Sequence, residues 1–191
     1  GVHADDPHWQ GYLANLSPAE FEKSYAAQLP DQVSGAEFLG RYEGTSDPVT
    51  RVVPDRVYAI RQPTAHPIHE HARVNRFRDL LAMPLDEPTL IEMGELMYAS
   101  HESYSACGIG STGTDRLVEM VREAGPAAGL FGAKITGGGS GGTVAVLGRQ
   151  TAGEAIERIS KRYADESGHE QHVFRGSSSG AWNEEVRTVQ L

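Results

Sequence analysis

Apolar residues recur three and four positions apart along three stretches of the chain. Between 66 and 83 they are Ile68, Val74, Phe77, Leu80 and Leu81; between about 87 and 103 they are Leu90, Met93, Leu96 and Met97; between 114 and 124 they are Leu117, Val118 and Val121. That spacing lines one side of a helix and predicts one helix in each stretch. Start signals agree: Asp86 stands ahead of Pro88, and Thr112 is followed three residues later by Asp115, the pattern of an N-cap and its capping partner. Nearer the amino terminus, Ser17-Pro18 with Glu20 opens a further helix whose buried face is Phe21, Tyr25 and Leu29.

Elsewhere the period changes. Phe131 to Thr136 (FGAKIT) and Thr143 to Leu147 (TVAVL) are apolar and β-branched, as strands are, and a last helix is predicted from Ala152 to Glu166. Further strand candidates are His172 to Phe174 and Val186 to Leu191, with a strand-like run from Val49 to Ile60 interrupted by Pro54. Residues 1–16 lack a clear period and are expected to be loop, and Pro30, Gly35, Gly40, Gly44 and Pro48 are expected to break the stretch around Ala36 to Tyr42 into short pieces. Three helices followed by strands and one more helix predict an α+β fold, a mostly antiparallel sheet with helices packed on one face.

Composition narrows the functional classes. The 191 residues suffice for one domain that buries roughly 70% of its unfolded surface. Lys and Arg number 17 against 26 Asp and Glu, a formal charge of −9, so nucleic acid and anionic lipid are disfavoured as partners. A single cysteine, Cys107, excludes an internal disulfide and a CxxC metal knuckle. With no apolar run near the ~20 residues of a membrane span and no secretion signal, the expected location is the cytoplasm. The chain opens on Gly1 rather than Met, which suggests processing or a piece of something longer.

The candidate chemistry sits in glycine. Gly137-Gly138-Gly139-Ser140-Gly141-Gly142 lies between the two predicted strands. Glycine permits positive φ and lets successive N–H groups converge on an anion, the arrangement that cradles phosphate. A flexible linker is the competing explanation. A strand running straight into each end suits a ligand loop better than a linker. A second turn-rich element, Ala106 to Thr114 (ACGIGSTGT), opens the third helix, where exposed N–H groups and the macrodipole favour anions. Asp115 in that first turn competes for the same donors, so an ordinary capped helix start and a ligand contact both remain open. Cys107 has no partner base nearby in sequence, and nucleophilic catalysis by it is not expected. His66, His69 and His71 with Glu70 (HPIHEH) mimic metal spacing, but His71 points away from the other two on a helix, and packing or solvated histidines are expected instead.

Five stretches carry a family likeness: GYLANLSP from Gly11, YAAQLP from Tyr25, RQPTAHPIHEHARVNRF from Arg61, GELMYASHESYSACGIGSTGTDRLV from Gly94 and FGAKITGGGSGGTVAVLGR from Phe131. Together they resemble the carboxy-terminal region of L-arabinokinase-like sugar kinases, in the galactokinase branch of the GHMP kinases. KITGGGSGG is similar to the third GHMP motif, a glycine loop at the cleft near the transferred phosphate. The resemblance implies a ferredoxin-like α/β sandwich over 49–191, with 1–48 a segment connecting to an amino-terminal domain.

It also implies a part in an ATP-dependent sugar 1-kinase with Mg²⁺, acting on L-arabinose or a galactose-like monosaccharide. Thr136, Gly137, Gly138, Gly139, Ser140, Gly141 and Gly142 would form the nucleotide and phosphate loop; Ala106, Cys107, Gly108, Gly110 and Ser111 would form the sugar-side wall. Galactokinases use a tyrosine of that wall on the sugar. Cys107 or Gly108 stands near its place here, so that contact is not carried across. The family's own phosphate loop, PxxxGLxSSAA-like, and its catalytic aspartate belong to the amino-terminal domain and have no match in this sequence; Gly108 to Thr112 (GIGST) imitates the loop only superficially. No catalytic residue is therefore expected in this chain, and phosphotransferase activity is expected only with the kinase's other half. A non-catalytic sugar-binding or regulatory module on the same scaffold is the alternative.

Overall fold

The computed structural model describes residues 8–42, 44–47, 49–137 and 142–176. In chain order these form α1 (Pro18–Ser24), β1 (Gln32–Ser34), α2 (Gly35–Arg41), β2 (Val57–Ala59), α3 (Arg61–Leu81), α4 (Glu87–Ala106), α5 (Thr112–Ala124), β3 (Leu130–Ile135), β4 (Val144–Gly148) and α6 (Gly153–Ser167). The fold is α+β, with antiparallel pairing divided between two small sheets, β1 with β2 and β3 with β4. No helix among the described residues is long and apolar enough to cross a membrane.

Helix starts follow side-chain capping. Ser17 accepts from the Glu20 N–H with Pro18 at the first helical position, and Asp86 accepts from the Thr89 N–H. Leu16 and Phe21, placed on either side of the Ser17 cap, are both buried in one cluster with Ile68. This is a hydrophobic staple, which fixes the angle at which the chain enters α1 against α3. At α5 the cap is Ser111, not Thr112, and its reciprocal partner is the Thr114 hydroxyl rather than Asp115. α3 begins at Arg61, ahead of Pro63, because the first turn of a helix has no use for the N–H that proline lacks.

Further expectations differ from the structure. Residues around Ala36 to Tyr42 form the helix α2, because Ser34 caps it by accepting from the Glu37 N–H. Of Val49 to Ile60 only Val57–Ala59 is strand, since Pro54 lies where pairing would need an N–H. His172 to Phe174 is irregular, with the two rings stacked edge-on at 4.5 Å and no partner strand among the described residues. Val186 to Leu191 lies outside the described residues. Both the β1–β2 sheet and the Leu16–Phe21–Ile68 cluster span residue 48, the boundary expected between an amino-terminal segment and the following domain.

The larger core surrounds β3, which is buried along nearly its whole length and packs on α4 and α5. Tyr98, Val118, Val121, Leu130, Ala133, Ala152 and Ala155 form its cluster. α4 meets β3 without intervening side chains at one place: a Cβ on Gly94 would overlap the Phe131 carbonyl, and one on Gly132 would overlap the backbone of Gly94. Two glycines facing each other let helix and strand touch main chain to main chain, which holds β3 in a fixed position.

Candidate functional site

β3 and β4 form the hairpin that carries the glycine loop. Their register pairs Ile135 with Val144, and the Thr136 N–H donates to the Thr143 carbonyl at 3.1 Å, so the ladder runs to the root of the loop. Gly137 then takes φ +74°, a left-handed value suited to glycine. Gly138, Gly139, Ser140 and Gly141 lie outside the described residues.

Several element ends meet at this root. Gly94 of α4 lies on Phe131 and Gly132, and His101 lies on Ile135, so α4 runs alongside β3 in the same direction. The end of α4 therefore reaches the loop: the Tyr104 phenol donates to the Gly137 carbonyl at 3.4 Å. α3 arrives in the opposite sense, with His66 stacked edge-on against Tyr104 at 4.8 Å and its Nδ1 bonded to the Ser103 hydroxyl at 2.7 Å. The Ala106 to Ser111 turn joins α4 to α5 at this same end.

Beside Tyr104 sits a half-buried charge cluster centred on Glu70 of α3. Its carboxylate receives the Arg73 guanidinium at 2.7 Å, the Ser100 hydroxyl at 2.6 Å and the Lys134 ammonium at 3.3 Å. Lys134 also lies over the Tyr104 ring, 5.7 Å from its centroid. Burial alone would raise the Glu70 carboxyl, but the Ser100 and Arg73 hydrogen bonds and the two cations outweigh it and hold it below its ordinary value. Two cations thus share one carboxylate, and Arg73 Nη2 is buried without a hydrogen-bond partner. His66 is pushed below its ordinary value by burial, with Arg73 and Lys134 reinforcing this and Glu70 opposing it, so it is a neutral neighbour at pH 7. Within this cluster one positive charge is unmatched, in a chain whose formal charge is −9.

On the other side of β3, buried His101 joins three elements. Its Nδ1 accepts from the Ile135 N–H at 3.3 Å, and its Nε2 lies 3.2 Å from Asp115 Oδ1 in the first turn of α5. Asp115 Oδ1 also accepts from the Ser105 hydroxyl at 3.0 Å. Asp115 therefore binds side chains of α4 rather than the N–H donors of its own helix. The pair lines an open groove of about 560 Å³ between α4 and α5.

The residues expected from sequence divide accordingly. Thr136, Gly137 and Gly142 stand at the hairpin tip. Ala106 ends α4, Cys107 is its C-cap, Gly108 turns the chain with φ +76°, Gly110 packs on Ser105, and Ser111 caps α5. Cys107 is half-buried with its thiol directed to the Gln62 carbonyl at 3.8 Å, and burial pushes that thiol up, away from the thiolate. His66 and His69 pair with Ser103 and Glu22 respectively. Tyr104, Lys134, Glu70 and His101 carry the site's polar contacts; the sequence set Glu70 beside the histidines and His101 and Tyr104 within a family-like stretch, but assigned none of them these roles. Lys134 had a signal: it is the one charged residue in an otherwise apolar strand.

The root of the loop leaves room for an anionic phosphate group: among the described residues no atom lies within 4 Å of where a Gly137 Cβ would be, and the Lys134 ammonium lies over the ring of Tyr104, which bonds Gly137. Mg²⁺ is a different matter. Among the described residues no group of three or more His, Cys, Asp or Glu is arranged to hold a metal ion, and Glu70 is already taken by its own partners.

The family "GHMP kinases C terminal" matches residues 83–165, from just before α4 to near the end of α6. An L-arabinokinase of Arabidopsis thaliana is 44% identical over 181 residues, covering 89% of this chain and 17% of that protein. A galactokinase of Thermosipho africanus is 32% identical over 95 residues, covering 49% of this chain and 25% of that protein. The crystal structure of Lactococcus lactis galactokinase complexed with galactose superimposes with a TM-score of 0.56 at 19% identity, covering 84% of this chain and 33% of that one. The chain thus spans a quarter or less of the length of the two sequence relatives. Residues 83–165 belong to the GHMP kinase C-terminal family and take its fold.

Proposed function

We propose that this chain is the carboxy-terminal part of an ATP-dependent sugar 1-kinase. The substrate is L-arabinose or a galactose-like monosaccharide, and the loop from Thr136 to Gly142 lies at the phosphate-transfer cleft. The observation that carries this reading is the 44% identity to an L-arabinokinase across 89% of the chain, glycine loop included. ATP supplies the γ-phosphoryl group. Backbone N–H groups of the loop, with the Thr136 and Ser140 hydroxyls, receive its charged oxygens, and such fixed donors are the main contribution a protein makes to phosphoryl transfer. Tyr104 holds the Gly137 carbonyl and so sets where the loop begins. Ala106 to Ser111 walls the sugar side. A companion kinase domain supplies the other phosphate loop, the proton acceptor and the Mg²⁺ ligands.

The test is phosphoryl transfer from ATP over a panel of pentoses and hexoses, by a kinase in which this chain is joined to such a companion domain. Sugar-dependent turnover is expected, with none from this chain alone. Gly137→Val forces a β-branched residue to positive φ at the loop root and is expected to lower kcat by about a hundredfold. An unchanged rate would remove the loop from the mechanism.

A further inference from the structure

We propose that His101 is the positioning residue that fixes the root of the glycine loop to the first turn of α5, and that it does so only as a neutral imidazole. The consequence for catalysis rests on the phosphate-loop reading above; the positioning itself does not. Along an antiparallel strand, backbone groups point alternately toward and away from the partner. The Thr136 N–H is bonded to the Thr143 carbonyl just ahead of β4, so the Ile135 N–H points away from that strand and needs another acceptor, which His101 Nδ1 provides. An imidazole that accepts at Nδ1 carries its proton on Nε2, the nitrogen that faces Asp115. One side chain of α4 therefore spans from the last residue of β3 to α5, where Ser105 bonds the same carboxylate oxygen and holds it in place.

This geometry makes the link sensitive to one proton. A second proton can go only to Nδ1, where it would face the Ile135 N–H, donor against donor, and that bond would be lost. The charged groups around the ring are Asp115 and Arg122 on α5 and Glu102 on its own helix. Lys134, the charged residue of β3, turns instead to Glu70. Burial and Arg122 favour the neutral ring, against Asp115 and Glu102. The groove between α4 and α5 gives solvent a path to the pair.

The experiment is amide NMR of the ¹⁵N-labelled chain with His101→Asn and His101→Gln. Asn places an acceptor near the position of Nδ1, and Gln places a donor near that of Nε2, so each variant keeps one half of the link. In the wild type, the ¹⁵N spectrum of the ring is expected to report the Nε2–H tautomer, and acidification is expected to move the Ile135, Gly137 and Gly142 amides together with the ring. His101→Gln is expected to speed Ile135 amide exchange about tenfold, as for one lost net hydrogen bond, and to shift Gly137. His101→Asn is expected to keep Ile135 protected while the pH response disappears. Loop amides that ignore both variants, or that titrate unchanged without the imidazole, would overturn the proposal. The wild-type titration decides it even if a variant fails to fold. Loop amides that follow His101, in a kinase whose Gly137→Val variant runs at full rate, would leave the positioning role standing and overturn the phosphate-loop reading alone.

Discussion

Around Phe21 the chain packs side chain on side chain; between α4 and β3 it packs backbone on backbone, a kind of contact the amino-terminal region also makes where Gly35 meets the Val53 carbonyl. In the first region Leu16, Phe21 and Ile68 join short elements, and strands of three residues pair only with each other. In the second, a 20-residue helix lies directly on β3 through Gly94 and Gly132, and a buried histidine ties the strand to a third element. Side-chain contacts leave room for adjustment by rotamer changes, whereas main-chain contact leaves almost none. The glycine loop grows from the second kind of region, so its root is held where backbone donors keep their aim.

The largest expected effect breaks that distinction directly. Gly94→Ala puts a methyl group onto the Phe131 carbonyl and must separate α4 from β3; we expect a loss of more than about 3 kcal/mol by urea denaturation, together with shifts of the Gly137 and Gly142 amides. Phe21→Ala removes a ring that is 1% exposed and should cost about 3 kcal/mol. It should leave those loop amides in place. If Phe21→Ala moves the loop as far as Gly94→Ala does, the two regions are one mechanical unit and the contrast fails.

Much of this architecture was legible in the sequence, and the gaps have physical causes. α3 to α5 announced themselves by apolar spacing, and Ser17 and Asp86 by their position before proline. Both strands flanking the loop were apparent from their β-branched runs. What escaped is whatever depends on a partner distant in the chain. Gly94 in mid-helix has no local signature until Gly132 is brought against it. His101 lies in a family-like stretch where nothing nearby in sequence gives it a role, while the conspicuous His66, His69 and His71 drew attention to a metal site. The α5 cap fell one residue early because Ser111, Thr112 and Thr114 all carry suitable hydroxyls, and only geometry selects between them. Residues 172–174 have the composition of a strand, but composition supplies no partner.

A smaller effect distinguishes the regions by pH. Burial holds His101 and His66 below their ordinary value of 6.5, so the fold favours their neutral forms. Their contribution to stability is complete above about pH 6.5 and is lost as pH falls below it, because the unfolded chain takes up protons first. The carboxylate of Glu70, held below 4.5, adds a separate loss only at more acid pH. Urea midpoints between pH 7.5 and 5.5 should therefore decline, and His101→Asn should flatten part of that decline. A decline unchanged in His101→Asn would assign it elsewhere.

The smallest effect uses the same chemical change as the largest, with the opposite sign. Gly40 lies in α2, and among the described residues a Cβ added there meets no atom within 4 Å. With no contact to violate, Gly40→Ala acts mainly on the unfolded chain, whose conformational freedom it reduces, and on helix propensity, which it raises. Both favour the folded state, by about 0.5 kcal/mol this close to a helix end. One methyl group is thus expected to destabilise at residue 94 and to stabilise at residue 40, because only at residue 94 does the glycine serve a contact. Loss of stability in Gly40→Ala would mean that α2 is packed at this position too, extending the close fit that Gly35 makes against Val53 at the start of the helix.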